Sequence, residues 1–201
     1  MATENGKSLE DIDSMEIGGP IRSDVRDFVE AMLKESDRGC VLIGAAYLDD
    51  ALEEMLRTNF SGDENVVKKV VSPLFKGGNA PLGTFSVKTN ISFALGLINN
   101  ETFKALNNIR KVRNEFAHKA GPVVLTDQRV SVITSKLEKY LQEISSALLG
   151  AVEDILEENK TDNNKTGFNP KYPFLNIEKV GFSLAVGMIG SEINKGKRRA
   201  E

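Results

Sequence analysis

The sequence has few of the residues that disulfide, metal and membrane proteins need. It contains one cysteine and one histidine in 201 residues, so an intrachain disulfide is excluded and only carboxylates could form a metal site. Weakly polar runs such as Val180–Gly190 are far shorter than the ~20 residues that cross a bilayer. No basic start followed by an apolar stretch occurs before Gly19, so we expect no secretory signal. These absences predict a cytoplasmic protein with no metal, no cofactor and no membrane contact.

A global positive field is also missing. The chain has 29 acidic and 26 basic side chains and a net charge of -3, whereas strong nucleic-acid binders usually carry a marked positive field. We therefore expect any nucleic-acid contact to be weak, indirect or shared between subunits. The basic run near the end of the chain is a candidate for phosphate contacts, and a solvated terminus is the alternative. Its residues are Lys195, Lys197, Arg198 and Arg199.

Composition and periodicity predict a single all-α domain. With 40% apolar and 27% charged residues, the chain has an ordinary globular composition and enough length for one core. Apolar residues recur at helical spacing, and no sustained alternation typical of strands occurs. We expect a bundle of six to eight helices over residues 21–194, after an acidic arm at 1–20 and before a basic tail at 195–201. The expected helices are about 23–36, 38–59, 63–71, 84–98, 100–118 and 177–194, with a further one starting at Thr126 or Ser135 and a loop at 72–83.

The helix predicted at 100–118 carries arginines among its apolar residues. Projected at 100° per residue, Arg110 falls inside the apolar sector, and Arg113 falls between Leu106 and Ile109. A charge on a buried face needs a partner, because an unpaired one is strongly destabilising. Asp49 lies within the apolar sector of the long second helix and is the best candidate counter-ion. We therefore predict a buried ion pair of Asp49 with Arg113 or Arg110 that fixes helix packing.

The same helix ends in Arg113-Asn114-Glu115-Phe116-Ala117-His118, a string of the form R-N-x-x-x-H. A lone histidine at a helix C-terminus is often a favourable cap on exposed carbonyls. The string also resembles the signature of the HEPN helical-bundle superfamily, many of whose members are metal-independent ribonucleases. That resemblance implies that Arg113 stabilises phosphate charge, His118 transfers protons and Asn114 positions them. Both interpretations stay open.

A longer resemblance covers about residues 22–156. It rests on four ordered segments, which are Leu42–Leu52, Leu74–Gly77, Pro81–Ile91 with Ala94–Ile98, and Arg113–His118. In order and spacing these segments are similar to the mannitol operon repressor family. The resemblance implies an all-helical bacterial transcription regulator that has no recognisable helix-turn-helix. Repression would then act through a protein partner or an oligomer, and a ribonuclease is the alternative function.

A candidate anion site precedes the helix predicted at 84–98. Free backbone N–H groups at a helix start can hold an anion, and Thr84, Ser86 and Lys88 stand at this start. No Walker motif is present, so a packed turn is the simpler interpretation.

The predicted last helix is apolar on two opposite sides. Val180 and Leu184 mark one side, and Phe182 and Val186 mark the other. A helix of this kind is buried twice, either inside the domain or between subunits. We predict a homo-oligomer in which this helix takes part.

Overall fold

The computed structural model describes residues 23–60, 63–76, 79–119, 121–141 and 177–198. The elements are α1 (Ser23–Lys34), α2 (Asp37–Thr58), α3 (Glu64–Val66), a π-helical turn (Val67–Val71), α4 (Ser72–Phe75), α5 (Phe85–Ala94), α6 (Asn100–His118), α7 (Gln128–Leu141) and α8 (Ile177–Arg198). No strand occurs in these ranges, which confirms the predicted all-α fold. The arm predicted at 1–20 lies outside the described residues.

Side-chain caps set the starts of the long helices. Asn99 accepts a hydrogen bond from the backbone N–H of Thr102 and caps α6 where the sequence predicted its start. Ser36 and Thr84 cap α2 and α5 in the same way. None of the helices in the described ranges is long and apolar enough to span a membrane.

Three predicted boundaries are wrong. α5 ends at Ala94 and not near residue 98, because Gly96 adopts a left-handed φ of 69° that does not continue a helix. The loop predicted from Ser72 starts later, since Ser72–Phe75 extend the π-helical turn as α4. Pro73 stands at the start of α4, directly after the π-helical turn, so its missing N–H falls where the hydrogen-bonding pattern changes from π-helical to α-helical. α8 continues past residue 194 to Arg198.

α8 lies at the centre of the bundle. It packs against α1, α2, α6 and α7, and its side chains from Lys179 to Ile193 are buried or half-buried at all but one position. Both apolar sides that the sequence indicated are thus largely covered inside the domain. Because of this coverage, the pattern of α8 gives no support to the predicted homo-oligomer, which stays a prediction.

Close contact between α8 and α2 depends on a glycine. A Cβ atom on Gly190 would lie 2.6 Å from the Tyr47 hydroxyl oxygen. The Tyr47 ring is itself stacked on Phe28 with 4.1 Å between ring centroids. The ring therefore has little freedom to move away, and α8 approaches α2 closely only because residue 190 has no side chain.

Candidate functional site

Asp49 forms an ion pair with a residue that sequence reasoning did not choose. Lys88 of α5 has a side chain that is 3% exposed, and its Nζ lies 2.9 Å from Asp49 Oδ1 and 3.1 Å from Glu53 Oε2. The prediction that Asp49 pairs with Arg113 or Arg110 is therefore wrong, since its partner is Lys88. Both α5 and α6 pack against α2, but it is Lys88 of α5 that reaches the two carboxylates.

Glu53 joins Lys88 to a second cation. Arg57 Nη2 donates to Glu53 Oε1 over 2.8 Å, and the guanidinium lies 4.3 Å from the centroid of the Phe75 ring. Burial by itself would raise the pKa of Glu53, but the hydrogen bonds from Arg57 and Lys88 outweigh it and hold that pKa below its ordinary value. The two cations and the two carboxylates balance one another. The network therefore ties α5 to α2.

This network changes the predicted anion site. The Lys88 ammonium is engaged by two carboxylates, so it has no charge to offer a further anion. Thr84 Oγ1 accepts a hydrogen bond from the N–H of Val87 as the helix cap, and Ser86 is half-buried. Of the features that predicted an anion site, only the backbone N–H groups at the N-terminal end of α5 are left.

Arg113, Asn114 and His118 lie on the last turns of α6, as their spacing requires. Arg113 and His118 are exposed and Asn114 is half-buried, and Arg113 Nη1 donates to Asn114 Oδ1 over 3.1 Å. Glu115, between them, pairs with Lys119 at 2.7 Å. The hydrogen bond from Lys119 lowers the pKa of Glu115, so this carboxylate is a poor proton donor near neutral pH.

The exposure of Arg113 identifies an open part of the bundle. Leu106 and Ile109, its neighbours in projection, are fully buried, yet Arg113 itself is exposed. The projection placed Arg113 between two buried residues, but the predicted burial of Arg113 itself is wrong. Ala117 of the same predicted sector is exposed as well, because no described helix covers the C-terminal end of α6 on this side. Arg110 is half-buried, and its Nε is buried without an acceptor among the described residues. Two arginines of α6 therefore have no carboxylate partner in the part of the chain that the structure describes.

A second buried ion pair was not predicted. Lys179 of α8 is fully buried, and its Nζ lies 3.0 Å from Asp37 Oδ1 and donates to the Glu35 carbonyl over 2.8 Å. Asp37 Oδ2 also accepts the N–H of Leu125 over 2.9 Å. This centre joins α8, the start of α2 and the segment before α7. The sequence feature that could have predicted this pair is a lysine, Lys179, among the apolar residues of the last helix, because a buried lysine needs an anionic partner.

Other predicted contact residues lie at the end of α8. Lys195 is exposed and pairs with Glu192 at 2.7 Å. For Lys197 and Arg198 the structure describes the helical backbone and not the side chain, and Arg199 lies outside the described residues. Within the described ranges, no group of three or more His, Cys, Asp or Glu residues is placed to hold a metal ion.

Comparison with known proteins identifies the family. The family model described as "Mannitol repressor" matches residues 26–166. The chain belongs to the mannitol repressor family. Two curated relatives, both named mannitol operon repressor and both from Escherichia coli strains (K12 and O6:H1), are 27% identical over 93 residues, which is 46% of this chain and 47% of theirs. The match thus spans about half the length of these curated relatives.

Two solved structures share the fold of this mannitol repressor family member. A protein from Shigella flexneri described as a possible transcriptional regulator, YggD, has a TM-score of 0.59 at 16% identity, with 85% of this chain and 95% of that chain covered. A chain of the MtlR–HPr complex from Escherichia coli has a TM-score of 0.57 at 17% identity, with 85% and 99% covered. At these identities the likeness establishes the fold. The family match covers the Asp49–Lys88 pair and the Arg113–His118 string, whereas α8 lies outside it.

Proposed function

We propose that this mannitol repressor family member is a cytoplasmic transcription regulator that acts through protein contacts and has no base-reading helix-turn-helix. The family match over residues 26–166 carries the proposal. A protein of the same fold is bound to HPr in the Escherichia coli complex, which supports a protein partner. HPr is therefore the first partner to test.

The distribution of charge supports indirect action. A helix that enters the major groove presents basic and polar side chains to phosphates and base edges. The exposed side of α2 is apolar and acidic, with Leu42, Ile43, Asp50 and Glu54, and α8 is largely buried. α6 has exposed basic residues, but its two glutamates pair with Lys104 and with Lys119, the residue that follows the helix. A net charge of -3 also argues against tight direct binding of DNA.

A metal-independent ribonuclease is the second candidate function. One observation favours it: Arg113 and His118 are both exposed at the end of α6, where a phosphate could reach them. Arg113 would stabilise the charge of the phosphate, and His118 would transfer protons. Glu115 pairs with Lys119, so it does not assist. The regulator is the better supported of the two.

A deletion strain separates the two candidates. We expect deletion of the gene to change a limited set of transcripts, and we expect wild type and His118→Ala to restore them equally. Labelled RNA incubated with the purified protein and a chelator should stay intact. Cleavage that resists the chelator and is lost in His118→Ala would instead assign a ribonuclease, because removing the proton-transfer group lowers the rate by roughly 100-fold or more.

A binding measurement tests the proposed partner. Purified Escherichia coli HPr mixed with the full chain should give a complex in size-exclusion chromatography with light scattering. The same measurement on the chain alone gives its subunit number and tests the predicted homo-oligomer. An unchanged elution and mass at micromolar HPr would remove HPr as the partner.

A further inference from the structure

α2 and α6 are antiparallel neighbours. Arg38, at the start of α2, donates from Nη2 to the carbonyls of Lys119 and Gly121 over 2.8 and 2.9 Å. The first turn of α2 therefore lies beside the end of α6. The two helices also pack against each other, so a trough follows their shared edge.

α5 fills about half of this trough. Its Lys88 reaches Asp49 of α2, and its Phe93 ring stacks on Phe103 of α6 with 4.5 Å between centroids. At 1.5 Å per residue, α5 is about 15 Å long and α6 about 28 Å. Residues 95–99 join the end of α5 to the start of α6, so the N-terminal end of α5 points toward the end of α6. Because Phe93 lies opposite Phe103, the first residue of α5 lies opposite about residue 111 of α6. Beyond it, roughly 10 Å of the trough is left open by the described residues.

Helical spacing and exposure indicate which residues line the open part. Leu42 stands two turns before Asp49 on the same side of α2, and Arg110 stands two turns after Phe103 on the same side of α6. Leu42 is 38% exposed, and Ala46, Arg113 and Ala117 are exposed. We define the α2–α6 groove as the open part of the trough, lined by Leu42, Ala46, Arg110, Arg113 and Ala117.

The charges of the α2–α6 groove are of one sign. Arg110 and Arg113 have no carboxylate partner in the described part of the chain, and Arg110 Nε is buried without an acceptor there. The N-terminal end of α5, which carries the positive end of the helix dipole, closes the groove at one side. Asp49, at that boundary, is already paired with Lys88. The groove thus combines an apolar lining with cationic groups that lack anions.

We propose that the α2–α6 groove docks a segment of a partner protein in which carboxylates flank apolar side chains. Charge complementarity selects the carboxylates, and Leu42, Ala46 and Ala117 provide contact for the apolar side chains. An open length of roughly 10 Å accommodates about two turns of helix. The proposal rests on the proposed action through protein contacts, and it adds the surface and the chemistry of the partner.

A labelled peptide and two matched pairs of variants test the groove. The probe is a helical peptide of about 14 residues with leucines on one side and glutamates on both flanks, titrated with the full chain and followed by fluorescence anisotropy. Arg113→Glu changes the groove, and Lys111→Glu makes the same charge change on the outward side of α6. Leu42→Asp changes the groove, and Ile43→Asp makes the same change on the neighbouring exposed position of α2. Thermal unfolding establishes that all four variants are folded.

The expected result is a difference within each pair. Arg113→Glu and Leu42→Asp should weaken binding about tenfold or more, whereas Lys111→Glu and Ile43→Asp should stay within about twofold of wild type. A peptide with lysines in place of its glutamates should not bind wild type and should regain binding to Arg113→Glu.

Several results would overturn the proposal. They are the absence of peptide binding by wild type, equal losses in both members of a pair, and binding only after removal of residues 1–20, which would assign the groove to this chain's own acidic segment. A change of oligomeric state in Arg113→Glu without peptide binding would assign it to a second copy. If the peptide does not bind the groove while HPr binding and regulation of transcripts persist, the proposed function stands and only the groove proposal is wrong. If wild type regulates no transcripts, the function fails whatever the peptide does.

Discussion

Replacement of Lys88 by methionine tests the energetics of the α2–α5 contact. The substitution keeps most of the buried aliphatic volume and removes the ammonium that lies 2.9 Å from Asp49 and 3.1 Å from Glu53. Removing one partner of a buried ion pair usually destabilises by about 3 to 5 kcal/mol. The two carboxylates remain 33% and 23% exposed, and Glu53 keeps its hydrogen bonds from Arg57. We therefore expect Lys88→Met to lower the free energy of unfolding by about 3 kcal/mol, the lower end of this range.

Urea unfolding at pH 7 measures this loss. The free energy of unfolding of a chain of this size falls by about 2 to 3 kcal/mol per molar urea. A loss of about 3 kcal/mol therefore lowers the urea midpoint by roughly 1 M. Lys104→Met is the matched control, because Lys104 pairs with Glu101 while their side chains are 59% and 63% exposed. An exposed pair of this kind contributes less than about 1 kcal/mol. Equal small losses for Lys88→Met and Lys104→Met would show that the Lys88 ion pairs contribute no more than an exposed pair.

The pH dependence of the same variant has a defined sign. The folded-state pKa of Glu53 is lowered from its ordinary value of 4.5, so its stabilising contribution is present above that pH and is lost as the pH falls through the folded-state pKa. The stability difference between wild type and Lys88→Met should therefore be largest near neutral pH and shrink in acid. Adding Asp49→Asn should recover part of the loss, since one carboxylate then no longer needs a cation. A difference that grows in acid would contradict this account.

Three further predictions concern the buried interior. Lys179→Met should lower the free energy of unfolding by about 3 to 5 kcal/mol in urea, because Lys179 is fully buried and pairs with Asp37; a loss below about 1 kcal/mol would contradict the pair. Gly190→Ala should destabilise the protein by about 1 to 3 kcal/mol through contact with Tyr47. Gly121→Ala is the control, because an added Cβ there meets nothing within 4 Å. Equal melting temperatures for the two variants would argue against the close contact at Gly190. Burial raises the pKa of the Cys40 thiol to about 11, so its alkylation at pH 8 should require unfolding, and stability should fall as the pH rises from about 9 toward 11. Rapid alkylation of the folded protein would contradict the last prediction.

Local signals predicted the helices well because their causes lie within a few residues. Asn99 placed the start of α6, and the glycine and proline after residue 120 placed its end. The spacing from Arg113 to His118 also fixed their common location on the last turns. A side-chain cap or a helical period depends only on neighbouring residues, so a single sequence contains it.

Partner choice could not be predicted in the same way. The projection of α6 put Arg113 between the buried Leu106 and Ile109, but exposure depends on whether another helix covers that position, and α5 is too short to do so. Asp49 was recognised as a residue that needs a cation, yet its cation stands 39 positions away on a helix whose docking the sequence does not encode locally. The coverage of α8 inside the domain is also set by long-range packing.

The claim that this protein regulates transcription without reading bases is tested most directly by DNA titration. Promoter fragments from genes whose transcripts change on deletion, and scrambled fragments of equal length, are titrated with the full chain at about 150 mM salt. We expect weak binding of equal strength to both kinds of fragment. A preference for the promoter of roughly 1,000-fold or more, as direct base readers show, would contradict it.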